Sequence, residues 1–201
     1  MTTRRKFIGT ALAVGAATVS AAVIAPSVRS APAPGAGQAT YLPLERVLFD
    51  VRFDASAPFA AAARSRSAMT SAIENAVHDL WYADLYHHWR DRRAPIAGLT
   101  DFRTLFLLEM MAADAGMRVV HRIHHHRIGT AYSHDVFGPL AHRAELKGRM
   151  VGAQHAWEQE AAGIVTRWPN HLVTADARHS DILLAKRQEL DLQTPISWII
   201  C

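Results

Sequence analysis

Thr100-Asp101-Phe102-Arg103-Thr104-Leu105-Phe106-Leu107-Leu108-Glu109-Met110-Met111-Ala112-Ala113-Asp114-Ala115-Gly116-Met117-Arg118-Val119-Val120-His121-Arg122-Ile123-His124 is the stretch that decides the fold. Thr100 suits a helix N-cap, and Asp101 in the first turn complements the helix dipole. Residues 102–115 then read as a strongly apolar helix. Gly116 stops it, because the position just past a helix end favours left-handed backbone. The β-branched run over 117–124 reads as a strand. A helix that ends in glycine and passes into a valine-rich strand is an α-to-β transition, so the chain is expected to be α/β.

Working outward, Arg46-Val47-Leu48-Phe49-Asp50-Val51-Arg52-Phe53 alternates and is rich in strand formers. Ser56 can cap a short helix with Pro58 early in it and an alanine-rich run to Arg64. Residues 68–93 admit two readings. One is a single helix opened by the capping box Ser71-x-x-Glu74. The other is a short strand over 68–74, with Asp79 capping a helix over 80–92. Pro95-Ile96-Ala97-Gly98-Leu99 reads as a connector and 125–138 as a polar loop. Residues 139–167 read as one or two helices closed by Trp168-Pro169, 182–190 as a short helix and 195–200 as a strand. The expectation is a single α/β domain over 43–201, with three to four strands packed with helices. A mostly α fold is the alternative if the ambiguous strands fail.

The N-terminus carries a different signal. Arg4-Arg5, preceded by Thr3 and followed by Lys6-Phe7-Ile8, fits a twin-arginine export motif. An apolar stretch rich in Ala, Val and Gly follows, then small residues suited to cleavage. Little Leu or Phe occurs in it, which argues against a permanent anchor. Residues 1–30 are expected to be a cleaved signal peptide and 31–42 a flexible leader, giving a periplasmic protein. The net charge of +4 belongs to this segment: residues 1–30 hold four of the 22 basic residues and no acid, leaving 18 against 18 acids. A neutral domain gives no reason to expect nucleic-acid binding. The one cysteine, Cys201, makes no internal disulfide and excludes cysteine-rich metal sites within the chain.

Three places can carry chemistry. The first is His121-Arg122-Ile123-His124-His125-His126-Arg127, with His134-Asp135 beyond. On a strand His124 and His126 share one face, and His121 and His125 the other. With His134 or Asp135 supplied by the next loop, such a set suits zinc or copper, although Arg118, Arg122 and Arg127 repel a cation. The second is Glu109, spaced with Phe102, Leu105 and Phe106 on an apolar face. A carboxylate there is either a general acid/base or paired with an arginine. The third is the aromatic row Trp81, Tyr82, Tyr86, His88 and Trp89, which walls a ligand or partner groove or packs as core. A phosphate loop, a dinucleotide fingerprint, a Gly-x-Ser-x-Gly elbow and a haem-attachment motif are all absent from the sequence.

At Leu80-Trp81-Tyr82, Trp89-Arg90, Ile96-Ala97-Gly98-Leu99-Thr100, Leu105-Phe106-Leu107-Leu108-Glu109 and Met117-Arg118-Val119-Val120, the chain resembles a group of small uncharacterised bacterial proteins with twin-arginine signals. The resemblance spans most of the domain beyond the signal. It implies export and one α/β domain, and it brings no activity. The export route carries folded proteins, often with a cofactor or partner already bound. The expected function is therefore a non-catalytic binding or accessory subunit of a larger exported redox enzyme, with the export machinery as a further partner. The alternative is a small metal-dependent hydrolase using His124, His126, His134 and Glu109.

Overall fold

The computed structural model describes residues 40–74, 77–173 and 193–201. The expected signal with Arg4, Arg5 and Phe7, residues 31–39 of the leader, and the helix expected over 182–190 lie outside the described residues. In chain order the elements are β1 (Arg46–Asp50), α1 (Ser56–Arg64), β2 (Thr70–Ile73), α2 (Val77–Leu80), a π-helical turn (Trp81–Leu85), α3 (Tyr86–Asp91), β3 (Ile96–Thr100) and α4 (Phe102–Asp114). These are followed by β4 (Val119–Ile128), β5 (Ala131–Phe137), α5 (Leu140–Ala153), α6 (Trp157–Thr166) and β6 (Ile196–Ile200), with short 3-10 turns at Gln154–Ala156 and Asn170–Leu172.

The strands form one six-stranded mixed sheet in the order β2-β1-β3-β6-β4-β5. β1 pairs in parallel with β2 and β3. β3 and β4 both run antiparallel to β6, so β1 to β4 all point the same way. Helices cover both faces. Val47, Ala97, Leu99, Ile123 and Ile199 meet Phe59 of α1, Leu146 and Met150 of α5, and Trp157, Ile164 and Val165 of α6. Leu48, Ile96, Ile196, Trp198 and Ile200 meet Val77, Leu85 and Trp89 of the α2–α3 segment and Leu105, Leu108 and Ala112 of α4. The result is a three-layer α/β/α domain. Among the described residues no helix is long and apolar enough to cross a membrane.

The α/β expectation holds, but the sheet has six strands rather than three to four. The connector over 95–99 is β3, buried at every position. Burial on both faces erases the period-2 alternation that marks a half-exposed strand. Gly98 is part of the reason it reads as a turn. It is glycine because an added Cβ would lie 2.6 Å from Trp198 Cζ2 and 2.8 Å from the Leu48 carbonyl oxygen. The polar loop over 125–138 is the second half of β4 and all of β5, joined by a turn with Gly129 at φ 63°. Its polar residues suit an edge strand with an exposed start.

Within 68–93 the strand reading prevails, as β2. The helix that follows starts at Val77, ahead of Asp79. The cap of α4 is Asp101, whose Oδ1 accepts the Thr104 N–H at 2.7 Å. Thr100 instead closes β3, and its Oγ1 accepts the Trp198 indole N–H at 2.9 Å. Gly116 does end the helix in left-handed backbone, with φ 72°.

Candidate functional site at the carboxyl ends of the parallel strands

In open α/β sheets ligands sit outside the carboxyl ends of the strands, where the strand order reverses. Here the chain passes from β1 to β2 on one side and then returns to place β3 on the other. Asp50 ends β1 and Asp101 follows β3, so the reversal point holds two carboxylates. Asp50 is fully buried and Asp101 nearly so. Burying two anions side by side demands a cation. Arg52 supplies it. Its Nε donates to Asp50 Oδ1 at 2.9 Å, its Nη2 donates to Asp50 Oδ2, and the same Nη2 reaches Asp101 Oδ2 at 2.9 Å. The Arg52 backbone N–H adds a bond to Asp50 Oδ1 at 3.0 Å. The hydrogen bond to Asp50 is the main reason the guanidinium proton is held above its ordinary range.

Next to it, on the face shared with α5 and α6, lies a chain of three polar side chains. His134 Nδ1 is 2.9 Å from His125 Nδ1, and His125 Nε2 is 2.9 Å from Ser197 Oγ. The register places His125 directly opposite His134 on β4 and β5. Trp157 stacks on His125 at 4.2 Å between ring centroids. Burial, and then the neighbouring imidazole of His134, holds His125 well below its ordinary value; burial also lowers His134. Both rings are therefore neutral at pH 7. The two Nδ1 atoms then share one proton, and either end of the chain can donate.

Arg52 and His125 open on a common hollow of about 260 Å³, also lined by Asp54, Arg127, Tyr132 and Thr194. Asp54 is the one carboxylate among its lining residues, against two guanidinium groups. The hollow also takes in Ala55, the residue before α1. No side chain caps α1, but the Ser56 N–H is taken by the Phe53 carbonyl at 3.0 Å and Pro58 carries no N–H, so the helix start adds little to this end.

The residues singled out from sequence scatter. His124 and His126 do share a face, with ring centroids 6.0 Å apart, and Asp135 joins them through His126 Nε2 at 3.2 Å. His134 lies on the opposite face with His125, so His124, His126 and His134 do not converge on one ion. Burial, followed by Arg122, lowers His124 to about 3. Glu109 is half-buried, and its charge acts on the buried Arg122, as an arginine partner rather than a lone acid. Of the aromatic row, Trp89 is core and donates its indole N–H to the Ala94 carbonyl at 3.0 Å. Tyr82 faces outward, whereas Trp81 packs edge-on against Tyr86 and Trp89 at 5.7 Å and 5.6 Å between ring centroids, and these three line a hollow of about 520 Å³. His88 turns instead toward Glu45 and Asp84 at the far end of β1, with Nδ1 at 2.7 Å and 2.8 Å from their oxygens. Sequence reasoning missed Asp50, Arg52 and Ser197. A charged residue closing an apolar strand was the available signal for the first two. Compared with known proteins, the chain matches no family model, no curated protein and no solved structure.

Proposed function

We propose that the protein is an exported, non-catalytic binding module that takes a small polar ligand with an anionic group at the carboxyl ends of β1, β3 and β4. The twin-arginine signal carries it folded to the periplasm, where it serves as an accessory to a larger exported enzyme. The observation that supports the ligand class is the hollow itself: the guanidinium groups of Arg52 and Arg127 both line it at the reversal of strand order. Guanidinium groups recognise carboxylates and phosphates through paired, charge-assisted hydrogen bonds. Calorimetric titration of the full chain with phosphate, sulfate and small carboxylates tests the ligand class. R127Q should weaken the best of these about tenfold, the worth of one charged hydrogen bond. Unchanged affinity in R127Q, or no binding of any small anion, defeats the reading.

The hydrolase reading draws on the His134–His125–Ser197 chain, which has the order of a hydroxyl activated by imidazoles. Ser197 is fully buried, and a nucleophile must reach its substrate, so binding ranks first. Covalent labelling of Ser197 by a fluorophosphonate would reverse that ranking.

A further inference from the structure

At the amino end of β1, away from the hollow, Glu45, Asp84 and His88 each turn one donor atom inward, and these atoms all lie within 4.8 Å of one another. Local structure explains the convergence. Glu45 immediately precedes β1. Asp84 and His88 are four residues apart on the helical segment, where such residues share a face. The Tyr86 N–H reaches back five residues to the Trp81 carbonyl, so Asp84 sits in a widened π-helical turn.

The bonding of the cluster is incomplete. The Glu45 side chain is only 8 % exposed, yet its Oε2 is buried without a hydrogen-bond partner. His88 Nδ1 is also buried and, although 2.7 Å and 2.8 Å from the two carboxylate oxygens, makes no hydrogen bond. Arg46 takes the other oxygen of Asp84, Oδ2, and leaves Oδ1 facing His88. It stands 3.7 Å from Glu45, and Arg92 stands 3.9 Å away, both beyond hydrogen-bond reach. Arg46 and Arg92 balance the two carboxylates in formal charge, but Glu45 Oε2 and His88 Nδ1 remain without hydrogen bonds where the nitrogen and two oxygens converge.

We propose that Glu45, Asp84 and His88 form a binding site for a divalent transition metal of the zinc class. A borderline imidazole with two hard carboxylates is a donor set zinc accepts, and three protein ligands leave a position for water. Tetrahedral ligands at about 2.1 Å from zinc stand roughly 3.4 Å from one another. The cluster opens by less than about one ångström to admit the ion. Arg46 on Asp84 Oδ2 then acts as an outer partner that fixes the carboxylate's orientation. His88 is 40 % exposed on its side chain, which gives the ion a route in. The site uses none of the residues of the proposed ligand hollow.

The test is equilibrium dialysis of chelator-treated full chain, prepared without a histidine tag, against zinc. About one zinc per chain is expected. H88Q and D84N should each weaken it at least tenfold, and H126Q should leave it unchanged. Circular dichroism of the metal-free variants confirms that they fold. Co2+ broadening of NMR signals in the unmodified chain should centre on Glu45, Asp84 and His88, which keeps the test valid should a variant not fold. No zinc uptake, affinity in H88Q and D84N unchanged from the unmodified chain, or broadening centred on His126 and Asp135 overturns the proposal.

Discussion

The two ends of β1 both hold paired carboxylates, and they are treated in opposite ways. At the carboxyl end, Asp50 and Asp101 are closed by one guanidinium, and the Asp50 carboxylate also accepts a backbone N–H. At the amino end, Glu45 and Asp84 surround an imidazole, and Glu45 Oε2 accepts nothing. Burial of charge is tolerated only when it is answered. At the first end every carboxylate oxygen accepts a hydrogen bond from within the chain, so its acids are structural. The second is answered in part, which is the condition of a site that expects something from outside.

Removing the internal cation should have the largest effect. R52A leaves Asp50 and Asp101 buried without a cation, holding only backbone N–H bonds, and should cost about 3 kcal/mol, the low end for breaking a buried pair, because the Arg52 side chain is 58 % exposed. Denaturant unfolding at pH 7 measures it. A loss below about 1 kcal/mol would erase the contrast between the two ends.

Acid should act next, and at the carboxyl half of β4. His124 is held neutral by burial, with its value lowered to about 3 against about 6.5 in an unfolded chain. Protons therefore bind the unfolded chain more readily, so this contribution is intact above pH 6.5 and is lost as pH falls toward 3. At pH 5 the loss is about 2 kcal/mol for this imidazole. H124Q should remove about that share of the fall in unfolding free energy between pH 7 and pH 5, while the buried His121, also lowered to about 3, keeps a further share. A wild-type profile that is already flat there refutes the buried neutral state.

The smallest effect belongs to the amino end. E45Q in metal-free protein should change stability by no more than about 1 kcal/mol, since it removes a charge that is incompletely paired. A loss as large as that of R52A would show this end to be closed like the other.

Much of the scaffold was readable in the residues. The run from Thr100 to His124 placed α4 and the start of β4, because apolar periodicity and Gly116 act locally. The strand Ile96–Thr100 was hidden because its identity depends on what covers it: Trp198, about a hundred positions away, turns Gly98 from a turn residue into a packing necessity. The alternation of His124 and His126 against His121 and His125 was legible from strand geometry. The pairing that sent His134 to His125 rather than to His124 was not, because it depends on the register of a hairpin read as a loop. Asp50, Arg52 and Asp101 meet only when β1 and β3 lie side by side, and no spacing along the chain announces that.

The position of β6 has a consequence for how the molecule forms. The strand latest in the chain lies inside the sheet, between β3 and β4. Until it docks, β2-β1-β3 and the β4–β5 hairpin are two separate sheets, each with an apolar edge unpaired. Joining them requires contacts between residues far apart in the chain, which slows assembly and leaves sticky edges open meanwhile. Folding should therefore finish in one late step, reported by Trp198 as its indole leaves water for the core. A chain caught before that step would be prone to aggregate.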